Sequence, residues 1–352
     1  MFYKSSEPED ELKRDTIIMR ILVNDVAAEN SGALTILESF YHEFCRDTSS
    51  EYVLCVSKPS FNSISNVQVL SFPWVKISWF HRLWFEVITT NRLIRKLKID
   101  EVFSLQNIVT PFTRKPQTLY LQLSLPFDDI RFSLFDAPQF WIYQKIIGPM
   151  IIHSVKRAKS IIVQTEWMKA AVMKTANVSR EKIVVQTPNL CIEIPGRFST
   201  IAWQRYFFYP ATPLVYKNHK TLFRAMQILK AGGISNFKVL LTIDRRKLPK
   251  DWAGYIEDID ENIIFLGNIS HQEVMQLYCK SVLVFPSYIE TYGLPLKEAS
   301  LCRAPIIAAD RPFSREVLSE YDTKCYFQSF DADSLAKCMR AYLDVATGEV
   351  ET

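Results

Sequence analysis

Short runs rich in Val, Ile, Leu and Phe alternate with longer stretches of helical periodicity along the whole chain. That alternation restricts it to parallel α/β units, because parallel strands need a crossover long enough to hold a helix. In the first half the pattern predicts strands over 17–24, 52–56, 67–72, 101–105, 118–122, 160–164 and 183–186. Helices are expected over 32–45, 79–98, 138–157 and 166–175. The segment 187–198 interrupts the pattern with Pro188, Asn189, Pro195 and Gly196, which are turn and linker residues. The alternation then restarts, with strands predicted over 205–209, 238–243, 263–266, 282–285 and 305–309 and helices over 219–231, 271–279, 294–302 and 332–343. The fold class is therefore α/β, with two Rossmann-like doubly wound domains facing a cleft, residues 19–190 and 191–352. Ligands of such sheets sit beyond the carboxyl ends of the strands.

Glycine narrows the function. The 352 residues contain 9, about a third of the usual share. Neither Gly-x-Gly-x-x-Gly nor Gly-x-x-x-x-Gly-Lys-Ser/Thr occurs, which argues against a fingerprint dehydrogenase and a P-loop nucleotidase. The seven cysteines are scattered and form no Cys-x-x-Cys, so they read as small buried residues of a reducing cytosol. The five histidines give no metal-ligand spacing. No apolar run is long enough to span a bilayer, and residues 1–18, acidic and polar, read as a disordered extension and not a signal peptide. Charge is uneven: residues 19–190 hold 20 basic against 14 acidic side chains, a net of +6, while residues 191–352 balance at 19 of each. An anionic partner is expected at the first half.

The chemistry concentrates between Phe285 and Glu298. A buried strand ends at Phe285, and a helix starts near Leu294. Pro295 suits the first helical turn, and Gly293 permits a tight turn and close approach of a ligand to the backbone. The free N–H groups of such a helix start bind phosphate or carboxylate. Glu290 before the helix and Glu298 within it bracket that anion site with two acceptors for diols. A nucleotide sugar has the matching layout of sugar, diphosphate and ribose; acidic residues near a helix start are the plain alternative. Lys217, before the second domain's first helix, can neutralise a diphosphate leaving group. Asp258-Ile-Asp260 and Asp331-Ala-Asp333 have Asp-x-Asp spacing but are placed for turn and capping roles.

Glu290-x7-Glu298, with Pro305-Ile-Ile-Ala-Ala-Asp310, Glu316, Gln164-Thr165-Glu166, Pro188-Asn189, Tyr209-Pro210-Ala211 and Lys217-Asn218-His219, resembles family 4 of the retaining glycosyltransferases, which have the GT-B fold. A narrower set, Arg20-Ile-Leu-Val-Asn-Asp-Val-Ala-Ala28, Ser104-Leu-Gln-Asn107, Leu123-Ser-Leu-Pro-Phe127 and Val163-Gln-Thr-Glu-Trp-Met-Lys169, is similar to capsular-polysaccharide rhamnosyltransferases of streptococcal type. Those enzymes transfer L-rhamnose from dTDP-rhamnose to a lipid-diphosphate-linked sugar. The resemblance implies that Glu290 contacts the donor sugar, Glu298 the ribose and Lys217 the diphosphate. It places the amides of Tyr292, Gly293 and Leu294 at the sugar and phosphates. Gly32 would face donor and acceptor across the cleft, with Gln122 near the sugar, where the family often has a histidine. Two further departures are Thr212, where an arginine is common, and Arg303, where a glycine is usual.

The resemblance further implies same-face attack with the leaving phosphate helping to deprotonate the acceptor, and no metal or other cofactor. The expected partners are a nucleotide-sugar donor, a lipid-diphosphate-linked saccharide and an anionic membrane surface, not nucleic acid. Two aromatic and basic segments, 72–98 and 132–159, suit such a surface, and a peripheral position on the inner face of the cell membrane is expected. UDP-glucose or GDP-mannose are alternative donors. A nucleotide-sugar epimerase and a non-catalytic sugar-nucleotide-binding partner in polysaccharide assembly are alternative roles; the intact Glu290, Glu298 and Lys217 weigh against the second.

Overall fold

The computed structural model describes residues 18–29, 31–58, 60–189, 194–196 and 205–347. The expected extension, apart from Ile18, and much of the linker, Cys191 included, lie outside those residues. In the first half, β1 (Met19–Asp25), β2 (Ser50–Val56), β3 (Val67–Ser71), β4 (Glu101–Ser104), β5 (Gln117–Tyr120), β6 (Ser160–Val163) and β7 (Ile183–Val185) form one parallel sheet. Its order is β3-β2-β1-β4-β5-β6-β7. The crossovers carry α1 (Ser31–Arg46), α2 (Trp79–Trp84), α3 (Thr90–Lys96), α4 (Pro138–Ile142), α5 (Gly148–Arg157) and α6 (Glu166–Ala176). Both long helical stretches pass through a π turn, at Phe85–Thr89 and Tyr143–Ile147, a local widening that periodicity alone does not reveal.

The second half repeats the plan. Strands β8 (Tyr206–Tyr209), β9 (Lys238–Leu241), β10 (Ile263–Phe265), β11 (Val282–Phe285), β12 (Ile306–Ala309) and β13 (Lys324–Phe327) pair in parallel in the order β10-β9-β8-β11-β12-β13. With them run α7 (His219–Ala231), α8 (Ala253–Ile256), α9 (His271–Tyr278), α10 (Leu294–Leu301), α11 (Pro312–Val317) and α12 (Ala332–Thr347). β11 and β12 are buried along their whole length, as strands covered by helices on both faces must be. In each sheet the order reverses beside the first strand, between β1 and β4 and between β8 and β11, and the two domains are doubly wound as expected.

The structure departs from the sequence expectations in two respects. It adds β13, α8 and α11, because Lys324–Phe327, Ala253–Ile256 and Pro312–Val317 are too short and mixed to show a period. Cys325 and Cys338 are also not separate thiols: β13 and α12 bring their Cα atoms to 6.4 Å, and they pair as a disulfide. Cys45, Cys55, Cys279 and Cys302 are free.

Candidate functional site

The loops that leave β8 and β11 part at the strand-order reversal of the second sheet, and Lys217 and Glu290 of the sequence-predicted residues converge there. Four contacts lace the loops together. Tyr209 Oη donates to the Lys217 carbonyl at 2.7 Å, the Tyr288 N–H to the Tyr216 carbonyl at 3.0 Å, Ser287 Oγ to the same carbonyl at 3.2 Å, and Asn218 Nδ2 to the Pro286 carbonyl at 3.2 Å. Asn218 stands just before α7 in a left-handed backbone, which an asparagine tolerates. Lys217 and Glu290 thereby meet: the Lys217 ammonium donates to Glu290 Oε1, which also accepts from Ser287 Oγ at 2.7 Å. Both side chains are mostly shielded from solvent. An ammonium and a carboxylate held together in a polar recess are arranged to receive a ligand that carries both anionic and hydroxyl groups.

Gly293 starts α10 with φ at 86°, a left-handed conformation. That conformation favours glycine, and a Cβ there would also press on Leu296 Cδ1 at 3.1 Å. Tyr292 is buried, and Leu294 opens the helix with Pro295 behind it. Gly32, in the first turn of α1, approaches from the other domain, since a Cβ on it would sit 3.3 Å from Leu294 Cδ1. The two glycines singled out in the sequence thus face one helix start from opposite domains.

Glu298, one turn into α10, is only 6% exposed. His271 Nε2 lies 3.0 Å from its Oε1, and Tyr278 Oη donates to its Oε2 at 3.1 Å. The hydrogen bond to Glu298 raises the His271 pKa above the ordinary 6.5. A raised imidazole pKa stabilises the fold fully below pH 6.5, and the gain is lost as pH rises through the folded value. No sequence signal points to His271, because 27 residues separate it from its partner. His219 is different. Completely buried and near Lys217, it is pushed down to about 3 and stays neutral, lying between the tilted rings of Tyr209 and Trp252.

Gln122 spends its side-chain N–H on the Leu105 carbonyl at 2.8 Å, a contact within the first domain. Thr212 is exposed. Arg303 is exposed too and adopts φ of 59° just after α10, where the Ala304 N–H closes on the Ala299 carbonyl at 3.0 Å. A glycine is usual at such a helix end because the backbone turns left-handed there. Asp258 and Asp260 lie in a 3₁₀ turn, with Asp260 paired to Arg245, and Asp331 Oδ1 accepts from the Ser334 N–H at 2.9 Å at the start of α12.

At the first sheet's reversal a second polar group is buried. Asp25 is 1% exposed, accepts from the Ala28 N–H at 3.3 Å, and leaves Oδ2 unpartnered. Burial pushes its carboxyl up to about 7. Beside it Asn24 Nδ2 donates to Glu86 at 3.0 Å, and Glu86 also pairs with Arg82 and Gln106.

The segments that follow the carboxyl ends of β3 and β5 carry exposed apolar side chains. Ile77, Trp79, Phe80, Leu83 and Trp84 form one set, with Trp79 79% exposed; Phe135, 94% exposed, and Ile142, Ile146 and Met150 form another. Lys76 and Arg82 point inward, to the Ala27 carbonyl and Gln106, so part of the basic character of 72–98 is structural. Phe72, Phe85 and Phe140 likewise belong to packed clusters. Among the described residues no helix is long and apolar enough to cross a membrane.

Known proteins resemble this chain in its second half and in its fold. Residues 202–346 match the family model described as glycosyl transferases group 1. The O-antigen chain mannosyltransferase B of Escherichia coli is 22% identical over 218 residues, which cover 55% of this chain and 54% of that protein. The O-antigen chain mannosyltransferase RfbU of Salmonella typhimurium is 25% identical over 190 residues, covering 53% of this chain and 52% of that one. The chain thus spans about half the length of these curated relatives. The solved sucrose-phosphate synthase of Thermosynechococcus elongatus superposes with a TM-score of 0.69 at 15% identity, over 94% of this chain and 90% of that one, and the shared fold is GT-B. The relatives are named as mannosyltransferases, where the motif resemblance points to rhamnosyltransferases.

Proposed function

We propose that the chain is a retaining glycosyltransferase that moves a sugar from a nucleotide sugar onto a lipid-diphosphate-linked saccharide in surface-polysaccharide synthesis. The observation that carries this reading is the meeting of Lys217 and Glu290 beside the Gly293-led start of α10. In the proposed reaction the bond from the sugar's anomeric carbon to the diphosphate oxygen breaks, and the acceptor oxygen bonds to that carbon on the same face. The acceptor proton passes to the departing diphosphate. Lys217 and the amides of Tyr292, Gly293 and Leu294 take up the charge of the leaving group, and Glu290 holds the sugar hydroxyls. Because Glu290 already pairs with Lys217, an entering diphosphate competes for the ammonium and releases the carboxylate towards the sugar. Glu298, braced by His271 and Tyr278, is assigned to the ribose. The charge on the leaving group is met by these residues without a metal.

For the donor, the motif resemblance favours dTDP-rhamnose, and the named activity of the O-antigen relatives favours GDP-mannose; UDP-glucose is the third candidate. L-Rhamnose is 6-deoxy-L-mannose, the mirror-image series of the D-mannose in GDP-mannose, so a chiral site distinguishes these two donors. Incubation of the purified chain with each donor and a lipid-diphosphate-linked glucose tests the reading. It fails if no nucleoside diphosphate is released with any donor.

The acceptor's lipid places the enzyme at a bilayer. The two exposed apolar sets, both beyond strand carboxyl ends of the half that carries +6, favour docking on an anionic inner leaflet. Vesicles of phosphatidylglycerol and phosphatidylcholine should pellet the protein. Trp79→Ser, Phe80→Ser and Trp84→Ser combined should cut the bound fraction about 10-fold or more, on the scale of removing three apolar side chains from a bilayer interface. Equal pelleting of this variant and the wild type would contradict docking through α2.

A further inference from the structure

Two side chains of the first domain converge on one backbone atom of the second. Thr165 Oγ1 donates to the Thr291 carbonyl at 3.0 Å, and Trp167 Nε1 donates to the same oxygen at 3.2 Å. Thr291 lies between Glu290 and Tyr292, in the loop that holds the proposed donor. The contact is returned from the other side: Glu316 of α11 accepts from the N–H groups of Glu166 at 2.7 Å and Trp167 at 2.9 Å. A second-domain carboxylate therefore caps the start of a first-domain helix, where free N–H groups and the helix dipole favour negative charge. Thr165 is 1% exposed, and the Trp167 ring packs against the cores of both domains.

A carbonyl gripped by two donors cannot rotate freely about its peptide. The Thr291 peptide sets where the Tyr292 N–H points and, through the short chain back to Glu290, where that carboxylate sits. We propose that Thr165 and Trp167 are positioning residues for the donor loop, and that Glu316 of α11, by capping α6, registers the two domains so that this grip is made. None of the three needs to touch the ligand; each acts through the loop backbone. The inference rests on the site assigned above for its consequence in catalysis, but its physical content, loop order, stands without it.

Thr165→Val keeps shape and removes one donor; Trp167→Phe removes the other donor together with part of the ring's packing; Thr165→Ser keeps the hydroxyl. Hydrogen–deuterium exchange of the ligand-free protein is the first readout. The double variant should exchange about 10-fold faster over residues 287–294 with β8 and α7 unchanged, on the scale of two hydrogen bonds lost, and Thr165→Ser should match the wild type. The second readout is kinetic: the donor KM should rise about 10-fold with a smaller change in kcat. If the double variant does not fold, Thr165→Val against Thr165→Ser carries the same comparison. Unchanged loop exchange in the hydroxyl-less and indole-less variants overturns the proposal. If the wild type transfers no sugar while the variants still loosen the loop, the function is wrong and the positioning stands.

Discussion

Glu290→Ala is expected to lower turnover at least ~10²-fold, the scale of removing one transition-state contact, with a much smaller change in donor KM. The physical reason is the position of the carboxylate. It is held by Lys217 and Ser287 at the strand-order reversal, shielded from solvent, where charge developing on a sugar ring is screened weakly. Glu290→Gln keeps the shape and hydrogen bonding but removes the charge, so it separates the two contributions. Glu290→Gln, which keeps an oxygen for Lys217, should retain a near-native unfolding temperature, while Glu290→Ala should unfold at a lower one, since it leaves a mostly shielded ammonium with the Tyr216 ring. Single-turnover kinetics with the best donor reads the effect. A rate within a few-fold of wild type in Glu290→Ala would remove Glu290 from the chemistry.

The largest expected effect on stability lies in the other domain. Asp25→Asn should stabilise the protein at pH 8 by up to about 4 kcal/mol, and by almost nothing near pH 4. The sign follows from the burial that holds the carboxyl up at about 7 in the folded chain, against 3.8 when free. Between those values the folded state binds a proton that the unfolded state lacks, so wild-type stability falls as pH rises through the window. Above about 7 the native state must bury an ionised carboxylate whose Oδ2 has no partner. Asparagine has no charge to bury and keeps an oxygen for the Ala28 N–H. Urea unfolding of both proteins at several pH values checks this. An Asp25→Asn variant less stable than wild type at pH 8 would mean that Arg82 and Lys76, the nearby cations, outweigh the burial.

Much of this architecture is legible from residues alone because parallel α/β units write strong local patterns. The runs at 282–285 and 219–231 coincide with β11 and α7, and the Pro295 and Gly293 pair marks the start of α10. What escapes is whatever depends on distant partners. His271 and Glu298 meet across 27 residues, and Glu316 reaches the start of α6 across 150. Cys325 and Cys338 look unremarkable until a strand and a helix fold back on each other. Arg303 shows a different limit. An arginine in place of the usual glycine reads either as a side chain at the ribose end or as one in solvent; it is exposed, and a left-handed helix end explains the glycine preference. The basic residues of 72–98 similarly read as one surface, whereas Lys76 and Arg82 turn inward and leave the aromatic side chains outside.

The central claim, that the recess at Lys217 and Glu290 carries sugar transfer, is tested most directly by turnover of the purified chain. The assay supplies dTDP-rhamnose, GDP-mannose or UDP-glucose with a lipid-diphosphate-linked glucose acceptor. The account predicts release of the nucleoside diphosphate, a product one sugar longer with the donor's anomeric configuration, and loss of both in Glu290→Ala. Release with inverted configuration, or no extension of the acceptor with any of the three donors, would contradict it.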